Sequence, residues 1–91
     1  MTKAELVNRV AEGAEVSPAV AERVLNQTLT EIKLALAEGK TVYLRGFGTY
    51  SPKQRKRKLA RNINRGTPII VPAHTIPFFK PAKEFKELVR G

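Results

Sequence analysis

Ninety-one residues leave room for one domain, and the reading is of a single domain over residues 1–91. The chain has no cysteine, which excludes a disulfide framework, a thiolate nucleophile and any Cys-based zinc or iron–sulfur site. No apolar run approaches the roughly 18 residues of a membrane span, and the opening MTKAELVNRV lacks the apolar stretch of a signal peptide, so a soluble, cytoplasmic chain is expected.

Charge is the strongest feature. Seventeen Lys and Arg stand against eight acids, a net +9. Residues 1–39 hold four basic and six acidic groups, whereas residues 40–91 hold thirteen basic groups and only Glu84 and Glu87 as acids. Charge segregated in this way repels itself in a compact state unless a polyanion relieves it. Solubilising surfaces intersperse both signs. The pattern therefore points to nucleic acid.

In chain order, Thr2-Lys3-Ala4-Glu5 is a capping box that opens a first helix. Leu6, Val7, Val10, Ala11 and Ala14 repeat at helical spacing behind it, and Gly13 is the expected stop. Ser17-Pro18 opens a second helix, with serine as N-cap and proline at the first helical position. Val20, Val24, Leu25, Leu29, Ile32 and Leu36 form its stripe, widened by Leu34 and Ala35, and Gly39 closes it. The two helices make an αα-hairpin. So broad an apolar face on the second helix, in so small a body, asks for a partner chain.

After Gly39 the period changes to alternation: Val42 and Leu44 share one side, and Gly46-Phe47-Gly48 supplies a turn. Strand text resumes at Thr49-Tyr50 and runs into residues 53–61, where Lys53, Arg55, Lys56, Arg57, Lys58 and Arg61 are basic. A segment charged on both faces cannot lie on a core, because each buried unpaired charge costs several kcal/mol. Asn62 to Pro68 is turn-rich, and Ile69-Ile70-Val71 returns as a partner strand. The expectation is a hairpin arm over about residues 53–72, with Pro52 bending its root. Pro72, Pro77 and Phe78-Phe79 follow as strand-edge prolines and core aromatics. Pro81 starts a last helix, capped near Lys80, with Phe85, Leu88 and Val89 inward.

Chemistry beyond binding is not apparent. His74 is the sole histidine, so no His pair can hold a metal or relay a proton. The acids of the first half suit capping and solvation, and Gly46-x-Gly48 alone is a weak phosphate-loop signal. No enzyme, cofactor, metal site or small-molecule substrate is expected. The arm carries the positive signal. Lys53, Arg55, Lys56, Arg57, Lys58, Arg61 and Arg65 line a ribbon that can follow a phosphate backbone. At its tip Ile63 stands between Asn62 and Asn64, an apolar wedge flanked by the polar groups that minor-groove insertion requires.

Three stretches, Tyr43-Leu44-Arg45-Gly46-Phe47-Gly48-Thr49-Tyr50, Arg61-Asn62-Ile63 and Ile76-Pro77-Phe78-Phe79-Lys80-Pro81-Ala82-Lys83, resemble the HU/IHF family of bacterial nucleoid DNA-bending proteins. The resemblance runs over essentially the whole chain. It implies an α+β fold: an N-terminal αα-hairpin, a three-stranded antiparallel sheet with a protruding β-hairpin arm, and a short C-terminal helix, assembled as an intertwined homodimer whose two arms embrace DNA. By position it assigns Arg61 and Asn62 to the minor groove and Arg55 and Lys58 to the cationic arm. Lys3, Lys80, Lys83 and Lys86 become phosphate contacts on the body, and Phe47 and Phe79 become aromatics at the subunit interface, to which Leu44, Leu29 and Ile32 are added. The departure is Ile63, where the family usually places proline; isoleucine keeps the apolar bulk without the ring's rigidity.

The resulting expectation is a nucleoid-associated homodimer that binds and bends double-stranded DNA largely independently of sequence, compacting or organising the bacterial chromosome. The rival is an RNA-binding or ribosome-associated basic protein. RNA readers display exposed aromatic platforms, whereas most aromatics here read as core.

Overall fold

The computed structural model describes residues 1–61 and 68–91, with Ala60 and Arg61 given by backbone alone. Its elements are α1 (Lys3–Ala14), α2 (Pro18–Ala37), β1 (Val42–Leu44), β2 (Gly48–Arg55), β3 (Lys58–Arg61), β4 (Pro68–Val71), β5 (His74–Pro81) and α3 (Lys83–Arg90). This is the expected α+β order, divided into two compact units, Met1–Leu34 and Ala35–Gly91.

In the first unit the start signals act as read. The Thr2 hydroxyl accepts the Glu5 backbone N–H at 3.2 Å and donates to the Glu5 carboxylate at 3.4 Å. The Ser17 hydroxyl accepts the Val20 N–H at 3.2 Å. The stop of α1 differs from expectation. The helix runs through Gly13 to Ala14, and the left-handed residue is Glu15, at φ 58°. The Val16 N–H reaches the Ala11 carbonyl at 3.0 Å and that of Glu15 the Glu12 carbonyl at 3.3 Å, which satisfies the helix end without glycine. Val7 and Ala11 of α1 pack with Ala21 and Leu25 of α2, and the first three of these are the buried hydrophobics among the described residues. Leu6, Val10, Val20, Val24 and Leu29 remain exposed, so most of the apolar stripe on both helices is uncovered within one chain.

The second unit begins as α2 ends. Gly39 takes φ 81°, with its N–H on the Leu36 carbonyl at 3.0 Å and that of Lys40 on Ala35 at 2.9 Å. The sheet order is β1-β2-β5, all antiparallel, and β3-β4 form a separate two-stranded ladder. Between β1 and β2 the Phe47 N–H returns to the Leu44 carbonyl at 3.0 Å, and Gly46 at φ 80° is the third residue of that turn, where a side chain would be strained.

One sheet face carries the aromatic core. Phe79 lies 4.6 Å from Tyr50 and 5.2 Å from Phe47, ring centre to ring centre, and Phe47 stacks on Phe85 of α3 at 5.1 Å. Gly48 makes this possible: a Cβ there would stand 2.5 Å from the Phe79 ring and 2.7 Å from the Lys80 carbonyl oxygen. The start of α3 is later than expected. Pro81 ends β5, Ala82 is the N-cap without a side-chain bond, and the helix opens at Lys83, so neither Pro81 nor Lys80 starts it. Of the three residues expected to face inward, Phe85 does. Leu88 and Val89 are 79% and 74% exposed in the chain.

Candidate nucleic-acid interface

The register sorts the second unit into two faces. Ala82 donates to the Phe47 carbonyl at 2.9 Å, so the odd-numbered positions of β2 fall on bonded pairs of the alternating ladder and the even ones on non-bonded pairs. Pro52, Pro77 and Pro81 all fall on the non-bonded set, in the pairs Pro52–Pro77 and Gly48–Pro81, where a missing N–H costs no ladder bond. The ladder accordingly runs through Pro52 without interruption as far as Arg55–His74.

The interruption lies farther out. Lys56 and Arg57 separate β2 from β3, and Pro72 and Ala73 separate β4 from β5. Pro72 has no N–H to offer, and its carbonyl oxygen lies 2.9 Å from His74 Nδ1. The two-stranded arm thus starts at the Lys58–Val71 pair, while Lys53 and Arg55 belong to the main sheet. On the arm, Leu59 and Ile70 are paired and exposed, Leu59 by 72%.

Paired residues project to the same side. Tyr43, Thr49 and Lys80 form one row across β1, β2 and β5, followed by Ser51–Phe78, Lys53–Ile76 and Arg55–His74. This face is opposite the aromatic core, and three of the expected contacts, Lys53, Arg55 and Lys80, share it. The Lys53 ammonium stands 4.2 Å from the centre of the Phe78 ring. At the face's edge Lys80 and Lys83 line a cleft of about 380 Å³ together with Tyr43, Arg45 and Thr49. Lys86 sits elsewhere, on an apolar cleft with Phe79, Phe85, Val89 and Arg90.

The remaining expected residues fall as follows. Lys3 opens α1, exposed, in the first unit. Lys56, Arg57 and Lys58 are exposed at the break and the arm's base, and Arg61 ends β3. Asn62, Ile63, Asn64 and Arg65 lie outside the described residues. Of the residues expected at a subunit interface, Phe47 and Phe79 pack on one another within the chain, Leu29 and Leu44 are exposed and Ile32 is half-buried.

Sequence reasoning missed Arg45, Tyr43 and Phe78. Arg45 sits in the turn after β1, where alternation gives no face. Tyr43 is 79% exposed on the cationic face rather than in the core, and Phe78, beside Phe79 in sequence, necessarily points to the other side. Among the described residues the one ion pair is Lys40 with Glu38, at 3.0 Å and exposed, which leaves the cationic face without carboxylate partners. Among the same residues no group of His, Cys, Asp or Glu could hold a metal ion, and no helix is long and apolar enough to cross a membrane.

This arrangement is that of a known family. Residues 1–90 match the model of the bacterial DNA-binding protein family. The chain is 41% identical over 91 residues to the DNA-binding protein HU of Xylella fastidiosa, covering all of this chain and 97% of that protein. It is 39% identical over 89 residues to HU-beta of Pseudomonas aeruginosa, covering 98% and 99%. Among solved structures it is similar to Anabaena HU in a cocrystal with DNA, with a TM-score of 0.92 at 38% identity over 98% of this chain and 97% of that one. HU from Thermotoga maritima follows at a TM-score of 0.69 and 30% identity, over 98% of each chain. With one sheet face left to acid-free cations and full-length likeness in both sequence and fold, this chain belongs to the bacterial DNA-binding protein family of HU and IHF.

Proposed function

We propose that this chain is an HU-type architectural protein that binds and bends double-stranded DNA largely independently of base sequence, acts without catalysis or cofactor, and organises the bacterial chromosome at the nucleoid. The observation that carries the reading is the fold likeness, at a TM-score of 0.92, to an HU solved with DNA. The sheet face bearing Lys53, Arg55 and Lys80 supports it, since a polyanion would find cations there and no competing carboxylate.

In this reading Lys53, Arg55 and Lys80 take phosphates over the sheet. Lys56, Arg57, Lys58, Arg61 and Arg65 follow the backbone along the arm, and Asn62, Ile63 and Asn64 enter the minor groove, Ile63 separating a base step. Lys3, Lys83 and Lys86 take phosphates of the flanking duplex. At Lys83 a phosphate would also meet the backbone amides of the α3 N-terminus, which Ala82 leaves without a side-chain cap. The working unit is a homodimer in which both units of each chain act as one domain. The uncovered apolar groups Leu29, Leu44, Leu88 and Val89 supply surface for a second copy.

The test measures affinity and bending on linear, nicked and RNA duplexes at several salt concentrations. With about 6–10 phosphates neutralised per dimer, log affinity should fall with log salt at about −0.9 per contact, and nicked DNA should be preferred because it bends at less cost. A shallow salt slope with strong discrimination among equally flexible sequences would contradict the reading. Preference for structured RNA would replace it with the RNA-binding alternative, for which exposed Tyr43 on the cationic face is the supporting observation.

A further inference from the structure

The face that carries Lys53, Arg55 and Lys80 also carries an aromatic ring in an unusual place. Phe78 is half-buried on the side opposite the aromatic core, directly across from Ser51, with Lys80 next along its own strand on that face and Lys53 diagonally across on β2. It does not belong to the core cluster, whose members are Phe47, Tyr50, Phe79 and Phe85. Its contact is with a cation: the Lys53 ammonium lies 4.2 Å from the ring centre, well inside the roughly 6 Å over which a ring's quadrupole attracts a cation.

We infer that Phe78 is a positioning residue for DNA, holding the Lys53 ammonium over the open sheet face so that it meets a phosphate already ordered. The inference rests on the proposed placement of DNA on this face. A free lysine has about 2 kcal/mol of rotamer entropy to lose when it is fixed, and a contact ordered beforehand loses less on binding. The ring occupies one side of the ammonium. A lysine carries three N–H donors, so the remaining ones stay available to phosphate oxygens. An arginine would not substitute simply, because its planar fork would lie flat on the ring. No carboxylate competes for Lys53 in the ion pairs of the described residues.

The experiment compares duplex affinity and thermal midpoint for Phe78→Leu, Phe78→Tyr, Lys53→Gln and the double variant Lys53→Gln/Phe78→Leu. Leucine keeps the apolar bulk and removes the quadrupole, whereas tyrosine keeps the ring. Phe78→Leu should weaken duplex binding by about two- to fivefold per chain with the thermal midpoint nearly unchanged, and Phe78→Tyr should bind as the parent does. The double variant should bind no more weakly than Lys53→Gln alone, since the ring acts only through that lysine. Full parental affinity in Phe78→Leu, equal losses in Leu and Tyr, or strictly additive losses in the double variant would each overturn the inference while leaving DNA on this face. If Lys53→Gln itself binds normally with an unchanged salt slope, the placement of DNA on this face fails, and the inference with it.

Discussion

Two backbone positions decide local stability in opposite directions. Glu15 holds a left-handed conformation at φ 58°, which costs an L-residue roughly 1–2 kcal/mol. Glycine there removes that strain and adds about 0.5–1 kcal/mol of lost chain freedom. Glu15→Gly should therefore stabilise by about 0.5 kcal/mol net, a rise of roughly 2–4 °C in thermal midpoint; a fall would mean the Glu15 side chain contributes more than its backbone costs. Gly48 is the reverse case. Its Cβ would stand 2.5 Å from the Phe79 ring, so Gly48→Ala must displace the centre of the aromatic cluster. Overpacking of that kind typically costs about 1–3 kcal/mol, to be read as a lower denaturation midpoint. Ile63 is the proposed wedge. A wedge that replaces base stacking must be apolar, so Ile63→Ala should reduce the bend angle and the preference for nicked DNA while the arm's cations keep most of the non-specific affinity. Lost dimer stability with bending intact would make the residue structural.

Among the elements, α3 and the arm are the ones whose roles differ from their appearance in sequence. α3 begins at Lys83 beneath a cap with no side-chain bond, and a cation at a helix N-terminus is unfavourable by some tenths of a kcal/mol. Bound phosphate would offset both. Replacing Lys83 and Lys86 together by Gln should weaken binding mainly on duplexes long enough to bend back onto the flanks, and equal loss on short and long duplexes would remove flank contacts from the proposal. The arm is set apart by a two-residue interruption on each strand, Lys56-Arg57 against Pro72-Ala73, and not by the proline pair Pro52–Pro77 nearer the body. The difference is one of phase. Pro52 and Pro77 meet at a non-bonded pair, whereas Pro72 comes where the pairing stops.

For the molecule as a whole the telling quantity is uncovered apolar surface. Among the described residues Val7, Ala11 and Ala21 are the buried hydrophobics, while Val24, Leu29, Leu34, Leu44, Leu88 and Val89 are exposed. So small a buried set among the described residues offsets little of the ordering entropy, which runs to about 1–2 kcal/mol per residue for the backbone. In the proposed homodimer folding is linked to association, so the thermal midpoint should rise with protein concentration, and both units should melt in one transition. A folded, concentration-independent monomer by sedimentation at micromolar concentration would count against the homodimer.

Composition and local pattern were enough for the element order and the kind of partner. Thr2, Ser17-Pro18 and Gly39 mark helix ends because caps are local chemistry, and the acid-free run from Gly39 to Lys83 marks a polyanion partner because Coulomb repulsion needs no fold to be counted. The helix end at Glu15 escaped the reading because glycine is only the commonest way to close a helix, and here two backbone bonds close it around a glutamate. Face assignment also escaped it in part. Adjacent Phe78 and Phe79 look alike in sequence, but alternation sends one to the core and the other to the cations, and only the register with β2 decides which is which. Long-range pairing likewise fixed the arm's base at Lys58–Val71, because whether a proline breaks a ladder depends on the partner strand's hydrogen bonds, which no single stretch of sequence contains.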